Sequence, residues 1–143
     1  MVGGISQLSD DVYVAGQISA EDIPALVEAG FKSIINNRPD DEDCSQPSRI
    51  DVGMAALGAG MEYLYIPMSG AQLTAETIEK SVEAFRDLPK PILAHCAGGP
   101  RSALLWAFSN VKADGVDSVL ATTASAGFTF EQFRPMLEQY AQD

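Results

Sequence analysis

Two cysteines, one histidine, one tryptophan and nine basic residues against twenty acidic ones mark what this 143-residue chain has little of. With only Cys44 and Cys96, no disulfide framework is available, and a reduced, cytoplasmic setting is the expectation. The lone histidine, His95, and two distant cysteines make no zinc ligand set, so neither a metal nor another cofactor is expected. A formal charge of −11 argues against nucleic acid and anionic membranes as partners, since both are bound through clustered lysine and arginine. A small anionic substrate stays open, because a local cradle can bind an anion against the global sign. No stretch is apolar for long enough to span a membrane, and Met1–Asp11 lacks the basic and apolar regions of a secretion signal. Repeats, low-complexity tracts and linkers are missing too, so residues 1–143 read as a single domain. The sequence carries no signature of oligomeric state.

What is present alternates. Val12–Ala15 reads as a short strand, and Ser19 with Asp22 caps a helix that points Ile23, Leu26 and Val27 one way and ends at Gly30. Ser33–Asn37 is a second strand, followed by the loop RPDDEDCSQPS and a weaker helix over about 50–57. The strand 62–66 closes at Pro67. Thr74 caps a helix with Ile78, Val82 and Phe85 inward, and 91–94 is another strand. After Arg101 the chain reads as helical in three pieces broken near Gly115 and Gly127. Thr129 with Gln132 has the spacing of a capping box for the last piece, and Phe128 with Phe133 that of a hydrophobic staple. Strands alternating with helices imply an α/β domain: a mainly parallel central sheet of about four or five strands flanked by helices. Ligands of such sheets bind beyond the carboxyl ends of the strands. Cys96 and the loop starting at Arg38 both lie there.

The segment HCAGGPRS, residues 95–102, carries the chemistry. A strand running into a tight glycine-rich turn and a helix points backbone N–H groups inward and adds the helix's partial positive charge. Both favour a thiolate on Cys96. The amides of Ala97, Gly98 and Gly99 line the cradle, and the two glycines allow the φ > 0 geometry it needs. Arg101 offers a planar fork for two oxygens of a tetrahedral anion, and Ser102 sits where it can hydrogen-bond the thiolate from behind. His95 supports the turn and does not act as a base. The competing reading is a buried strand-end cysteine, an ordinary turn and a solvated arginine. Eight residues of such consistent chemistry weigh against it.

HCAGGPRS resembles the signature loop of cysteine-dependent phosphatases, and the order YLYIPMSG, helix, PILAHC resembles dual-specificity phosphatases. Across nearly the whole chain, GQISAEDIPALVEAGFKSIINNRPDDE, QPS, YLYIPM, PILAHCAGGPRSALLWAF and ASAGF resemble the bacterial phosphatase-like domain of beta-lactamase-hydrolase-like proteins. The resemblance implies a cysteine-phosphatase-like fold, Cys96 as nucleophile and Arg101 as anion-binding arginine. The chain also departs from the dual-specificity pattern. Four residues, not five, separate Cys96 from Arg101, a length the bacterial family shares and one that resembles the rhodaneses, which carry sulfur as a cysteine persulfide. Pro100 removes one N–H from the cradle. Ser69, Gly70 and Ala71 stand where dual-specificity phosphatases place their acid.

In the loop after the second strand, Arg38 reads either as added positive charge at the site or as a local partner of Asp40. Asp40 or Glu42 is the candidate for the missing acid, against a bland reading as solvated carboxylates. Cys44 reads as a loop cysteine, with a resolving role for Cys96 as the alternative. Trp106, Phe108, Phe128, Phe130 and Phe133 read as core. Three functions are therefore expected in order. The first is a hydrolase in which Cys96 attacks a phosphate ester held by loop amides and Arg101. The second is a sulfurtransferase taking sulfane sulfur from a donor. The third is an anion-binding module without turnover.

Overall fold

A computed structural model gives the arrangement of residues 4–70 and 72–143. Ala71, in the acid-free Ser69–Ala71 stretch, and the first three residues of the Met1–Asp11 segment lie outside the described residues. Among the described residues five strands form one sheet: β1 (Ser6–Gln7), β2 (Val12–Ala15), β3 (Ser33–Asn36), β4 (Glu62–Tyr65) and β5 (Ile92–His95). Their order is β1-β2-β5-β3-β4, with only β1 antiparallel to its neighbour. The helices are α1 (Ile23–Glu28), α2 (Arg49–Gly58), α3 (Ala75–Asp87), α4 (Pro100–Asp114), α5 (Val116–Ser125) and α6 (Arg134–Gln142).

The burial patterns follow from this order. β3 and β5 are covered on both faces and buried at every position, as inner parallel strands must be. The edge strand β4 alternates exposed and half-buried residues. Along β5 the side chains split with period two: Ile92 and Ala94 join the core under α3–α6, Leu93 the core under α1 and α2. Helix α4 is the central helix, buried at every residue from Ser102 to Phe108, which places Trp106 and Phe108 in the core as the sequence suggests.

Three local expectations are corrected. The Ser19 cap holds, with Asp22 accepting from the Ser19 N–H at 2.9 Å, but it opens a 3₁₀ turn (Ala20–Asp22) ahead of α1. Val27 is turned out and 40% exposed, because so short a helix buries only Ile23 and Leu26. The last helix does not start at a Thr129–Gln132 capping box. A 3₁₀ turn over Glu131–Phe133 intervenes, and α6 begins at Arg134 with no side-chain cap. Phe130, not a Phe128–Phe133 staple, organises this corner: it stacks on Phe128 and meets Phe133 edge-on.

In register, Ala15 and Asn36 both stand opposite His95, and Tyr65 opposite Asn36. The chain therefore leaves β2, β3, β4 and β5 at one common edge.

Candidate active site

Cys96 is the first residue beyond β5 and is fully buried. Its N–H donates to the Ala15 carbonyl at 3.3 Å, and the Ala97 carbonyl accepts from the Gln17 N–H at 3.1 Å, so the turn is stitched to the end of β2. Gly16 makes the approach possible, since a Cβ there would lie 2.8 Å from the Ala97 oxygen. Gly99 takes φ = 114° and aims its N–H at the Cys96 sulfur, 3.0 Å away. Pro100 then opens α4 at a position where a missing N–H breaks no helical bond. The sulfur thus has a backbone donor and the N-terminus of a fifteen-residue helix beside it, and both stabilise negative charge.

Arg101 does not point freely into solvent. Its Nη1 donates to Glu42 Oε2 at 2.7 Å and to the Met68 carbonyl at 2.9 Å, and its Nη2 donates to Glu42 Oε1 at 3.0 Å. Arg38 reaches the same carboxylate, Nε to Oε1 at 3.0 Å, while its Nη1 donates to Gln17 Oε1 at 3.1 Å. A belt of side chains, Gln17–Arg38–Glu42–Arg101, therefore ties together the loops after β2, β3 and β4 and the start of α4. Bidentate contact with Arg101, with Arg38 behind it, holds the Glu42 carboxyl below the ordinary carboxylate range against a smaller opposing effect of burial. The Arg101 guanidinium is pushed up in turn, chiefly by Glu42 and with a further contribution from Cys96 nearby.

Arg38 therefore stands at the site, but its partner is Glu42 and not Asp40. Asp40 is occupied elsewhere: its Oδ1 accepts from the Arg49 N–H at 2.9 Å, and its Oδ2 lies 3.3 Å from Arg49 Nε. Its own N–H donates to Tyr65 Oη at 3.0 Å, and the Arg49 guanidinium sits over the Tyr65 ring. Ser102 also departs from expectation. Its hydroxyl donates to Asn37 Oδ1 at 2.8 Å, and a hydroxyl has one proton to give, so the thiolate is not its target. Asn37 in turn donates to the Ile66 carbonyl at 2.8 Å, and its N–H to the His95 carbonyl at 2.7 Å. This buried network clamps α4 and β5 to the loops after β3 and β4. Cys44 is exposed and Cys96 buried, and both are free thiols.

His95 is fully buried beside the turn. Its Nδ1 lies 3.3 Å from the Cys96 carbonyl oxygen, so Nδ1 carries the proton, and Nε2 has no hydrogen-bond partner among the described residues. Burial above all holds its pKa down at about 4, against 6.5 for a free histidine. The imidazole is neutral at pH 7. An unfolded chain takes up this proton from pH 6.5 downward while the fold refuses it until about 4. Between those values the fold loses stability as the pH falls, by about 2–3 kcal/mol at about pH 4.5. Urea unfolding at neutral pH and near pH 4.5 measures this loss, which is expected to shrink by about that amount in a His95→Asn variant. Equal losses in both proteins would place the acid sensitivity elsewhere.

A thiol-bearing turn between a central parallel strand and a buried helix, with an arginine in the helix's first turn, defines the class. This is a phosphatase-like domain of the cysteine-phosphatase fold. Residues 5–113 match the family described as beta-lactamase hydrolase-like protein, phosphatase-like domain, and the chain belongs to that family. A beta-lactamase hydrolase-like protein of Agrobacterium fabrum is 39% identical over 100 residues, which are 70% of this chain and 23% of that protein. The chain therefore spans about a quarter of that curated relative. Among solved structures, a protein from Neisseria meningitidis provisionally assigned as a phosphatase superposes with a TM-score of 0.84 at 28% identity, covering 96% of this chain and 98% of that one. The core catalytic domain of the PP-IP phosphatase SIW14 from S. cerevisiae, at 17% identity, shares the fold with a TM-score of 0.72 over 99% of this chain and 88% of its own.

Cys96, Arg101, His95 and the turn glycines stand out in the sequence as candidates because they are contiguous, but of the two glycines only Gly99, not Gly98, takes the positive φ expected of both. Sequence reasoning misses Gly16, Gln17, Asn37 and Met68, which join the site only through pairing of the strands. A glycine directly after a strand, as at Gly16, is the one signal that was available.

Proposed function

We propose that the protein is a cysteine-dependent enzyme whose Cys96 thiolate acts on substrates with leaving groups that depart without a proton. One observation carries this reading: the loop carboxylates that sequence offers as acids are engaged, Glu42 by Arg101 and Arg38, Asp40 by Arg49. A carboxyl held ionised below its ordinary range cannot donate a proton at neutral pH.

In the phosphatase reading, the thiolate attacks phosphorus, an S–P bond forms, and the P–O bond breaks with its electron pair going to the leaving group. Arg101 and the turn amides hold the phosphoryl oxygens. Water then attacks phosphorus, the S–P bond breaks and the thiolate returns. General-acid assistance is typically worth about 10²–10⁴-fold, so without it phosphoanhydrides and esters of acidic phenols are the substrates within reach. In the second reading the thiolate attacks the terminal sulfur of a persulfide donor. The donor's S–S bond breaks, its thiolate leaves, and Cys96 keeps the sulfur as a persulfide. The four-residue turn and Pro100 favour this reading, since one sulfur atom needs fewer N–H donors than three phosphoryl oxygens.

The test is the dependence of rate on leaving group. Turnover of aryl phosphates at mildly acidic to neutral pH is expected for acidic phenols and to fall steeply as the phenol becomes more basic. A flat dependence would mean that an acid does act and would overturn the proposal. No phosphate turnover, with Cys96 gaining sulfur from a persulfide donor, would establish the second reading. Neither chemistry, in folded protein that still binds oxyanions, would leave a binding module.

A further inference from the structure

The geometry points to Glu42 as a specificity-determining residue: its carboxylate sets how much negative charge the Cys96 turn accepts, favouring singly charged groups over dianions. The inference rests on the reading of that turn as an anion site, and it concerns binding, not turnover.

Arg101 and Arg38 bring two positive charges to the side-chain belt beside the Cys96 turn, the mouth of the candidate site, with side chains 16% and 13% exposed. Glu42 lies between them at 2.7–3.0 Å and brings one negative charge. A thiolate at Cys96 brings a second, so the mouth sums to zero before any ligand arrives. A dianion takes it to −2, a monoanion only to −1. The repulsion from Glu42 scales with the charge of the ligand, and the mouth is sheltered enough that solvent does not erase it.

Geometry adds to the count. Glu42 chelates the Nη1–Nη2 end of Arg101, and Nη1 is further committed to the Met68 carbonyl. An incoming anion must share this guanidinium with a carboxylate or displace it. Displacement also costs the Arg38 contact and so loosens the belt to Gln17. For phosphoryl substrates this selects singly charged phosphoryl groups over monoester dianions. For sulfur donors it selects alkyl persulfides, with one charge, over thiosulfate, with two.

An alternative role for the same contact is simply to orient Arg101, and the two roles predict opposite signs. If Glu42 limits charge, Glu42→Gln tightens dianion binding; if Glu42 only orients, the substitution weakens every anion alike. Sulfate and perrhenate make the comparison, because both are tetrahedral oxyanions and differ in charge. The readout is protection of Cys96 from iodoacetamide at neutral pH, normalised to the anion-free rate, in the full chain carrying Cys44→Ser so that one thiol is followed.

The expected result is that Glu42→Gln lowers the sulfate concentration for half-protection about tenfold and the perrhenate concentration about threefold. Preference for the monoanion therefore shrinks. An unchanged sulfate-to-perrhenate ratio, or equal weakening of both, overturns the proposal. Arg101→Gln is expected to abolish protection by either anion whether residue 42 is Glu or Gln. Protection that survives it would overturn the reading of the turn as the anion site, separately from the role of Glu42.

Discussion

Replacing Cys96 by serine is expected to abolish turnover while the fold persists. In either chemistry the attacking atom is the Cys96 sulfur, and a serine hydroxyl is not ionised near neutral pH. The expected loss is about a thousandfold or more, the scale on which removal of an enzyme's nucleophile is felt. Stability should move little. The serine oxygen takes the same fully buried position and still accepts from the Gly99 N–H, so melting is expected to shift by less than about 1 kcal/mol of unfolding free energy. Cys44→Ser, on an exposed loop, serves as the control and leaves turnover intact. Turnover that survives Cys96→Ser in correctly folded protein would remove Cys96 as the nucleophile.

The second large effect comes from a methyl group. Gly99 has φ = 114°, a region that a residue with a Cβ adopts only under strain. An added Cβ would also sit 3.0 Å from the Phe128 ring, whose neighbour in the stack is the buried Phe130. Gly99→Ala is expected to destabilise the protein by about 2–4 kcal/mol, from backbone strain and crowding together. It should also swing the N–H off the Cys96 sulfur, so that reactivity falls further than stability alone explains. Gly98→Ala is the matched comparison: its Cβ meets only Pro100 Cδ at 3.7 Å, an ordinary contact. Denaturant midpoints of the two variants test the contrast. Equal, small effects would mean that the turn relaxes easily and that its shape is not what prepares the sulfur.

The sheet was legible because its inner strands leave unambiguous runs, SIIN and ILAH, each bounded by turn formers. The turn that holds Cys96 was legible because its residues are contiguous. The loop after β3 was not. Asp40, Asp41, Glu42 and Asp43 look interchangeable in sequence, and which one meets Arg101 is decided at long range. Tyr65 and Arg49 pull Asp40 toward β4 and α2, and this leaves Glu42 facing the two arginines. Ser102 was misread for a related reason. Proximity to Cys96 suggests the thiolate, but the hydroxyl faces the loop after β3, where Asn37 competes for its proton. Residues fixed by local turn chemistry can be read one at a time. Residues fixed by which strands become neighbours cannot.

β5 is the middle strand of five and is paired along its length to β2 on one side and β3 on the other. Such a strand exchanges its amide hydrogens only through large-scale opening, not through fraying. Cys96, the residue after it, is fully buried. An oxidant or alkylating agent that does not enter by way of the turn itself must therefore wait for the fold to open. For such agents the chemical lifetime of this cysteine is tied to the thermodynamic stability of the fold that carries it.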